Sequence, residues 1–305
     1  MKVGLVSAVV SNPSAGVDAL VDEVVGAERD GFAFVSLPNI FGVDAITALA
    51  IAGRETSRIE LSTGVVPAQP RHPVALAQQA LTAQAASRGR FVLGIGLSHK
   101  LVIEDMLGLS YAHPAKQMRE YLEVLTPLLR GEPVDFAGDL WRVKAGLSVA
   151  GAARVPVIVA ALGPRMLEVA GRLADGTATW MTGPRTLGEF TAPTLRKAAT
   201  DAGRPAPRVV AALPVALVRD VAAAREAASK IFSIYGMLPS YRAMLDREGA
   251  SAPGDVALVG DERTLREALG GLRDAGVTDF AASLFEAEPG SVERSRAFLA
   301  AEAAS

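Results

Sequence analysis

Apolar positions along this chain fall into two alternating textures. Short, near-continuous apolar runs cover residues 2–7, 33–37, 59–64, 91–95, 156–161, 177–181, 209–218 and 278–283. Runs of that length, not alternating with polar residues, predict parallel strands covered on both faces. Between them lie longer stretches in which apolar residues recur every three or four positions, predicting helices over 17–30, 43–56, 73–87, 115–129, 164–174, 186–202, 221–234 and 263–275, with a last helix over 291–301. Eight strand–helix units in 305 residues predict an α/β fold of the (β/α)8 barrel type, one domain spanning 1–305. A doubly wound sheet, the other α/β candidate, requires fewer strands or a split into halves, and no linker divides the chain.

Punctuation agrees with this reading. Asp30-Gly31, Ala174-Asp175-Gly176 and Ala275-Gly276 each close a helix and open a strand, as the short returns at the bottom of a barrel would. Two segments stand outside the repeat. Residues 133–143 alternate around Ala137-Gly138-Asp139 and read as a surface hairpin. Residues 235–259 carry Gly236, Pro239, Pro253 and Gly254 around a short helix at 241–247, and read as a loop–helix insertion near the barrel mouth.

Composition narrows the chemistry. Half of the residues are apolar and 21% are charged, with a formal net charge of −2. That balance suits a globular protein and argues against a nucleic-acid partner. Without cysteine, disulfides, thiolate metal sites and cysteine nucleophiles are excluded. The three histidines, His72, His99 and His113, show no metal-ligand spacing, so no metal is expected. Met1-Lys2-Val3-Gly4-Leu5-Val6 does not read as a secretory signal, and the 209–218 run is about half of a membrane span. A cytoplasmic location with no membrane partner is the expectation.

In a barrel of this type the chemistry sits at the C-terminal ends of the strands. After the fifth strand, Ala160-Ala161-Leu162-Gly163-Pro164-Arg165-Met166 passes from a strand into a helix with Pro at its first position. The amides of Gly163, Arg165 and Met166, beside one cationic side chain, make either an ordinary strand-to-helix turn or an anion site suited to phosphate. Asn39 and Phe41 follow the second strand, where Asn39 either bonds a ring edge or caps a turn. Thr63-Gly64-Val65 ends the third, where Gly64 marks a bend or a close backbone approach. Gly94-Ile95-Gly96 and His99 end the fourth, with His99 the histidine placed for proton transfer; the run begins like a dinucleotide fingerprint but lacks its third glycine. His72 and His113, each before a proline, read as caps or packing residues. Trp180 and Thr182 end the sixth strand, Trp180 as either a pocket wall or core, while Trp141 in the hairpin reads as packing. There is no pair of strand-end carboxylates, no GxSxG and no strand lysine except Lys2, which removes the usual glycosidase, hydrolase and Schiff-base schemes. What remains suits a bound cofactor that carries the chemistry.

Together, Leu61-Ser62-Thr63-Gly64-Val65 with Arg71-His72-Pro73, Arg90-Phe91-Val92-Leu93-Gly94-Ile95-Gly96, Met118-Arg119-Glu120-Tyr121-Leu122, the 160–176 segment and Trp180-Met181-Thr182-Gly183-Pro184 resemble the luciferase-like monooxygenase superfamily, in its coenzyme F420-dependent oxidoreductase branch. The resemblance covers nearly the whole chain. It implies a flavin or deazaflavin at the strand ends, a bulge after the third strand that backs the ring, with a cis peptide at Gly64–Val65, and the cofactor phosphate at Gly163, Arg165 and Met166. It further implies a homodimer. On this resemblance the cofactor is F420, with FMN as the alternative. The function is hydride transfer between deazaflavin C5 and a small organic substrate; the alternatives are an FMN-dependent monooxygenase and a non-catalytic flavin-binding barrel. The chain departs from the sugar-phosphate dehydrogenases of that branch: Asn39-Ile40 replaces their Asp-His pair and His99 their glutamate, so neither that substrate nor that acid–base scheme is expected.

Overall fold

The computed structural model describes residues 1–12 and 14–304. In chain order its strands are β1 Lys2–Val6, β2 Phe34–Leu37, β3 Glu60–Thr63, β4 Val66–Pro67, β5 Phe91–Gly96, β6 Val134–Ala137, β7 Arg142–Ala145, β8 Val157–Ala160, β9 Gly176–Trp180, β10 Arg208–Leu217, β11 Leu258–Gly260 and β12 Asp279–Leu284. Eight of them, β1, β2, β3, β5, β8, β9, β10 and β12, pair in parallel in that order. The ring closes where Val3 meets Phe280 and Gly4 meets Ala281. This is the (β/α)8 barrel expected.

The register sorts the strand residues into two faces. Val35, Leu61, Leu93, Val159 and Leu213 share the outer face and are buried against the surrounding helices. Those helices are α1 Val17–Arg29, α2 Ala45–Glu55, α3 Pro73–Ala86, α4 Pro114–Leu129, α5 Pro164–Leu173, α6 Pro184–Thr186, α7 Ala192–Asp201, α8 Val221–Ile231, α9 Ser233–Met237, α10 Pro239–Glu248, α11 Glu262–Asp274 and α12 Ser291–Ala303. Asp44, Asp220 and Asp261 each accept an N–H in the first turn of α2, α8 and α11, which sets where those helices begin.

The inner face is charged at the bottom and small at the top. Arg208 bridges Asp279 (2.7 Å) and Glu60 (2.7 Å), and Lys2 reaches Glu60 (3.2 Å), tying four strands together at their N-terminal ends. Burial works against the Arg208 charge, but the two carboxylates outweigh it and hold the guanidinium above its ordinary value. Toward the C-terminal ends, the same face carries Ser36, Gly94, Ala160, Ala178, Ala212, Ala281 and Ser283, beside the larger Val6, Ile158 and Trp180. Barrel interiors are usually filled by branched side chains. Here most of the upper layer is small.

Four expectations are revised. The helix predicted at 186–202 is interrupted by a π-turn over Leu187–Thr191, and a second π-turn, Leu101–Met106, follows β5. Gly176 is not a helix-ending glycine. It opens β9, and a Cβ there would lie 2.3 Å from the Arg208 carbonyl oxygen. The hairpin appears as expected but runs on to Ala145. The insertion predicted at 235–259 begins earlier, because α8 leaves the barrel wall. It packs with Ala257 and Val259 over Ala216, Val218 and Phe285 in a hydrophobic cluster separate from the main core. The barrel's seventh helix is therefore α11.

Candidate cofactor and substrate site

The end of β3 sets the geometry of the mouth. The Gly64–Val65 peptide bond is cis. The Gly64 N–H donates to the Leu37 carbonyl (2.9 Å), and the chain resumes as β4 beside Ile95 and Gly96. Thr63 is buried, its hydroxyl accepting the Gly94 N–H and donating to the Gly94 carbonyl (both 2.8 Å), so it stitches β3 to β5 behind the mouth. These close approaches account for the glycines. A Cβ on Gly64 would lie 2.0 Å from Ser36 Oγ, on Gly94 1.9 Å from the Thr63 carbonyl oxygen, and on Gly96 2.8 Å from Val65 Cγ2. Asn39 resolves as a cap: its Oδ1 accepts the Ala45 N–H (3.0 Å) at the start of α2. Phe41, on the same loop, is 64% exposed.

At the end of β5, Ser98 takes a left-handed conformation (φ 55°) and delivers His99 to the mouth. Burial holds the His99 imidazole below the usual histidine value, so it is neutral at pH 7. Its ring lies 5.7 Å from that of Tyr241, and from there aromatic contacts run unbroken: Tyr241 to Tyr235 (5.0 Å), Tyr235 to Trp180 (5.6 Å), Trp180 to Phe232 (5.6 Å), Phe232 to Phe285 (6.0 Å). This ladder crosses from β5 to β12, and the insertion supplies three of its members. Burial, then the neighbouring Tyr235 and Tyr111, push the Tyr241 phenol up. Trp180 is part-exposed at the inner end of β9, and its indole nitrogen is buried beside Tyr235. Trp180 therefore lines the mouth, whereas Thr182 lies wholly buried beneath it, donating to the Trp180 carbonyl (3.3 Å). Glu248 pins the insertion down, accepting the Arg185 and Thr186 N–H groups (3.1 and 2.7 Å) at the start of α6.

The third part of the site is the start of α5. Gly163 is its N-cap and Pro164 its first residue. Ala161 is buried and Leu162 part-buried, while a Cβ on Gly163 would meet nothing within 4 Å. No described acceptor meets the N–H groups of Gly163, Arg165 or Met166, and Arg165 is exposed with no ion pair to any described residue. Free amides, a positive helix end and a free guanidinium make a seat for an anion.

His72 caps α3 through Nδ1 and packs edge-on against Trp141 (5.0 Å), away from the mouth, while exposed His113 precedes α4. Sequence reasoning missed Tyr235 and Tyr241, which sit in a segment with no regular period, and Phe232, at the end of the helix predicted over 221–234. It also missed Glu120, whose buried carboxylate accepts the Leu140 N–H (2.8 Å) and fixes the hairpin. Among the described residues no cluster of three or more His, Asp or Glu could hold a metal, and no helix is long and apolar enough to cross a membrane.

A mouth with small residues in its upper layer, an aromatic wall on one side and free amides beside Arg165 on another could hold an elongated ligand with a flat, largely apolar head and a negative tail. A sequence model of the luciferase-like monooxygenase family matches residues 1–282, and the chain belongs to that family. A Mycobacterium tuberculosis protein named as a coenzyme F420-dependent oxidoreductase is 32% identical over 181 residues, 55% of this chain; the chain thus spans about half (52%) of that relative's length. A 5,10-methylenetetrahydromethanopterin reductase of Methanolobus tindarius is 28% identical over 73% of this chain and 68% of its own. Among solved structures, the coenzyme F420 dependent tetrahydromethanopterin reductase from Methanopyrus kandleri superposes with a TM-score of 0.81 at 22% identity, covering 98% of this chain and 97% of that one. The FMN-bound oxygenating constituent of 3,6-diketocamphane monooxygenase from Pseudomonas putida gives 0.78 at 17%, covering 100% and 98%. Both share the fold.

Proposed function

We propose that this chain is an F420-dependent oxidoreductase that moves a hydride between the cofactor and a small organic substrate, working as a homodimer. The observation that carries the reading is the anion seat at α5, which opens at the same end of the barrel as the glycine and alanine layer. The names of the relatives support F420 as the occupant.

When bound, the deazaflavin supplies two-electron chemistry at its C5 carbon. The chain's own residues do the rest. The amides of Gly163, Arg165 and Met166 and the Arg165 guanidinium hold the anionic tail. The β3 bulge at Gly64–Val65 backs the ring, and Gly96 lets it lie close to the main chain. Trp180 offers a flat wall to the substrate side. His99, kept neutral by burial, presents an imidazole that holds or exchanges one proton at the substrate heteroatom, backed by Tyr241. The insertion helices exclude water from that side of the mouth.

The test is fluorescence titration of the purified chain with F420 beside FMN. Saturable F420 binding at least tenfold tighter than FMN binding is the expected result. Tighter FMN binding points to an FMN-dependent monooxygenase and overturns the proposal, as does binding of neither.

A further inference from the structure

Every strand leaves this barrel through uncharged chain. Residues 3–17, 31–43, 61–70, 91–99, 155–164, 176–184, 209–218 and 280–285 contain no Asp, Glu, Lys or Arg. Those stretches supply the inner face above the bottom layer, the β3 bulge and the first loop residues beyond each strand. The aromatic segment 231–241 of the insertion is uncharged as well.

The first charges beyond the mouth are mostly engaged. Asp44 pairs with Arg71 (2.8 Å), Lys100 with Glu104 (3.5 Å) and Arg185 with Glu189 (3.3 Å), and Glu286 accepts the Gly290 and Val292 N–H groups (2.7 and 3.1 Å). Asp18 and Arg219 are exposed to solvent. Arg165 belongs to the anion seat. An ionised substrate group entering the mouth would lose water and find no counter-charge on its walls, since Arg165 and Arg219, unpaired among the described residues, stand in solvent at the rim.

A second, independent pattern points the same way. Of thirteen exposed large apolar side chains among the described residues, nine lie on three segments at this end of the barrel. Ile40 and Phe41 follow β2, Leu101 and Met106 follow β5, and Ile234 and Met237 belong to the insertion, all more than half exposed. Exposed apolar side chains gathered at one face mark a place where something apolar is held. The part-exposed His99, Tyr235 and Tyr241 supply polar tips inside that collar.

We infer that the substrate is an uncharged, mainly apolar molecule with one polar handle, a carbonyl or the corresponding hydroxyl. Its body lies against the collar and its handle faces His99 and Tyr241. Phosphorylated and carboxylated metabolites are rejected by the lack of a counter-charge on the walls of the mouth. The inference takes its redox handle from the function proposed above, while its polarity rests on the charge pattern and the apolar collar.

The experiment compares 2-decanone with 9-oxodecanoate, a methyl ketone and the same ketone with a distal carboxylate, on the full chain with and without saturating F420. Binding is read by displacement of the uncharged dye Nile red and by tryptophan fluorescence, with F420 affinity titrated separately. The expected result is that 2-decanone binds at least tenfold tighter than 9-oxodecanoate. Met237→Asp and Leu101→Asp should each weaken the ketone at least fivefold and leave F420 affinity unchanged. Equal or tighter binding of the carboxylate overturns the inference, and so does binding of neither ketone while F420 still binds. Ketone selectivity without F420 binding overturns the function proposed above and supports the polarity. If the two variants change the oligomeric state, or abolish co-sedimentation with phosphatidylcholine vesicles, while ketone affinity stays intact, the collar is an interface and the inference fails.

Discussion

Replacing Arg165 with alanine should move cofactor binding and folding stability in opposite directions. Arg165 is the second residue of α5, exposed, with no ion pair to any described residue. A cation at a helix N-terminus opposes the helix dipole, a cost of about 0.3–1 kcal/mol. Removing it from the empty site should therefore raise stability by a few tenths of a kcal/mol, seen as a melting temperature unchanged or higher by about 1 °C. Binding should respond the other way. A hydrogen bond to a charged group contributes about 1.5–3 kcal/mol, and solvent screening at an exposed arginine reduces this to about 1–2 kcal/mol. That corresponds to roughly 5- to 30-fold weaker F420 binding. The loss should shrink as salt is raised, since the screening length falls to about 3 Å at 1 M. The assay is paired: fluorescence titration with F420 at low and high salt, and thermal unfolding of the cofactor-free protein. A variant that melts several degrees lower, or that binds F420 as tightly as the parent at low salt, refutes the assignment of Arg165 to the cofactor tail.

Other predictions follow from the same geometry. Gly94→Ala sets a Cβ 1.9 Å from a backbone carbonyl, whereas Gly96→Ala sets one 2.8 Å from the end of a valine side chain; urea unfolding should show about 1–3 kcal/mol lost for Gly96→Ala and clearly more for Gly94→Ala. Burial works against the Glu28 charge, but the N–H groups of Ser57, Arg58 and Ile59 hold its carboxyl down at about 2. Its contribution to stability is full above pH 4.5 and lost as pH falls toward 2, so Glu28→Gln should cost about 1–2 kcal/mol at neutral pH and little at the acid end of a urea series. The His99 imidazole sits below the usual histidine value, so any step needing it neutral should be flat through pH 7 and fall only below about pH 6.5. His99→Gln should remove that acid limb, and a limb lying above about pH 6.5 in the parent would contradict the placement.

The barrel was legible in the chain because its signals are local. Strands such as β5 and β8 are buried on both faces, so they show as unbroken apolar runs, and Pro and Gly mark the turns between units. The strand-to-helix turn at Gly163, Pro164 and Arg165 was legible for the same reason: the three are consecutive, and one short segment sets the backbone geometry. Asn39 stayed ambiguous until the start of α2 was seen to take up its oxygen. Gly176 misled because a glycine demanded by a neighbouring carbonyl looks, in sequence, like one that ends a helix. The insertion was least legible. Nothing local says that α8 faces a cluster of its own rather than the barrel, or that Tyr241, far along the chain, comes to lie beside His99. Those placements are tertiary and leave no period to read.

The most direct test of the central claim is equilibrium titration of the purified chain with F420 and, in parallel, with FMN, followed by fluorescence. The account predicts saturable F420 binding at least tenfold tighter than FMN, weakened by Arg165→Ala. FMN binding tighter than F420, or F420 binding indifferent to Arg165, would contradict it.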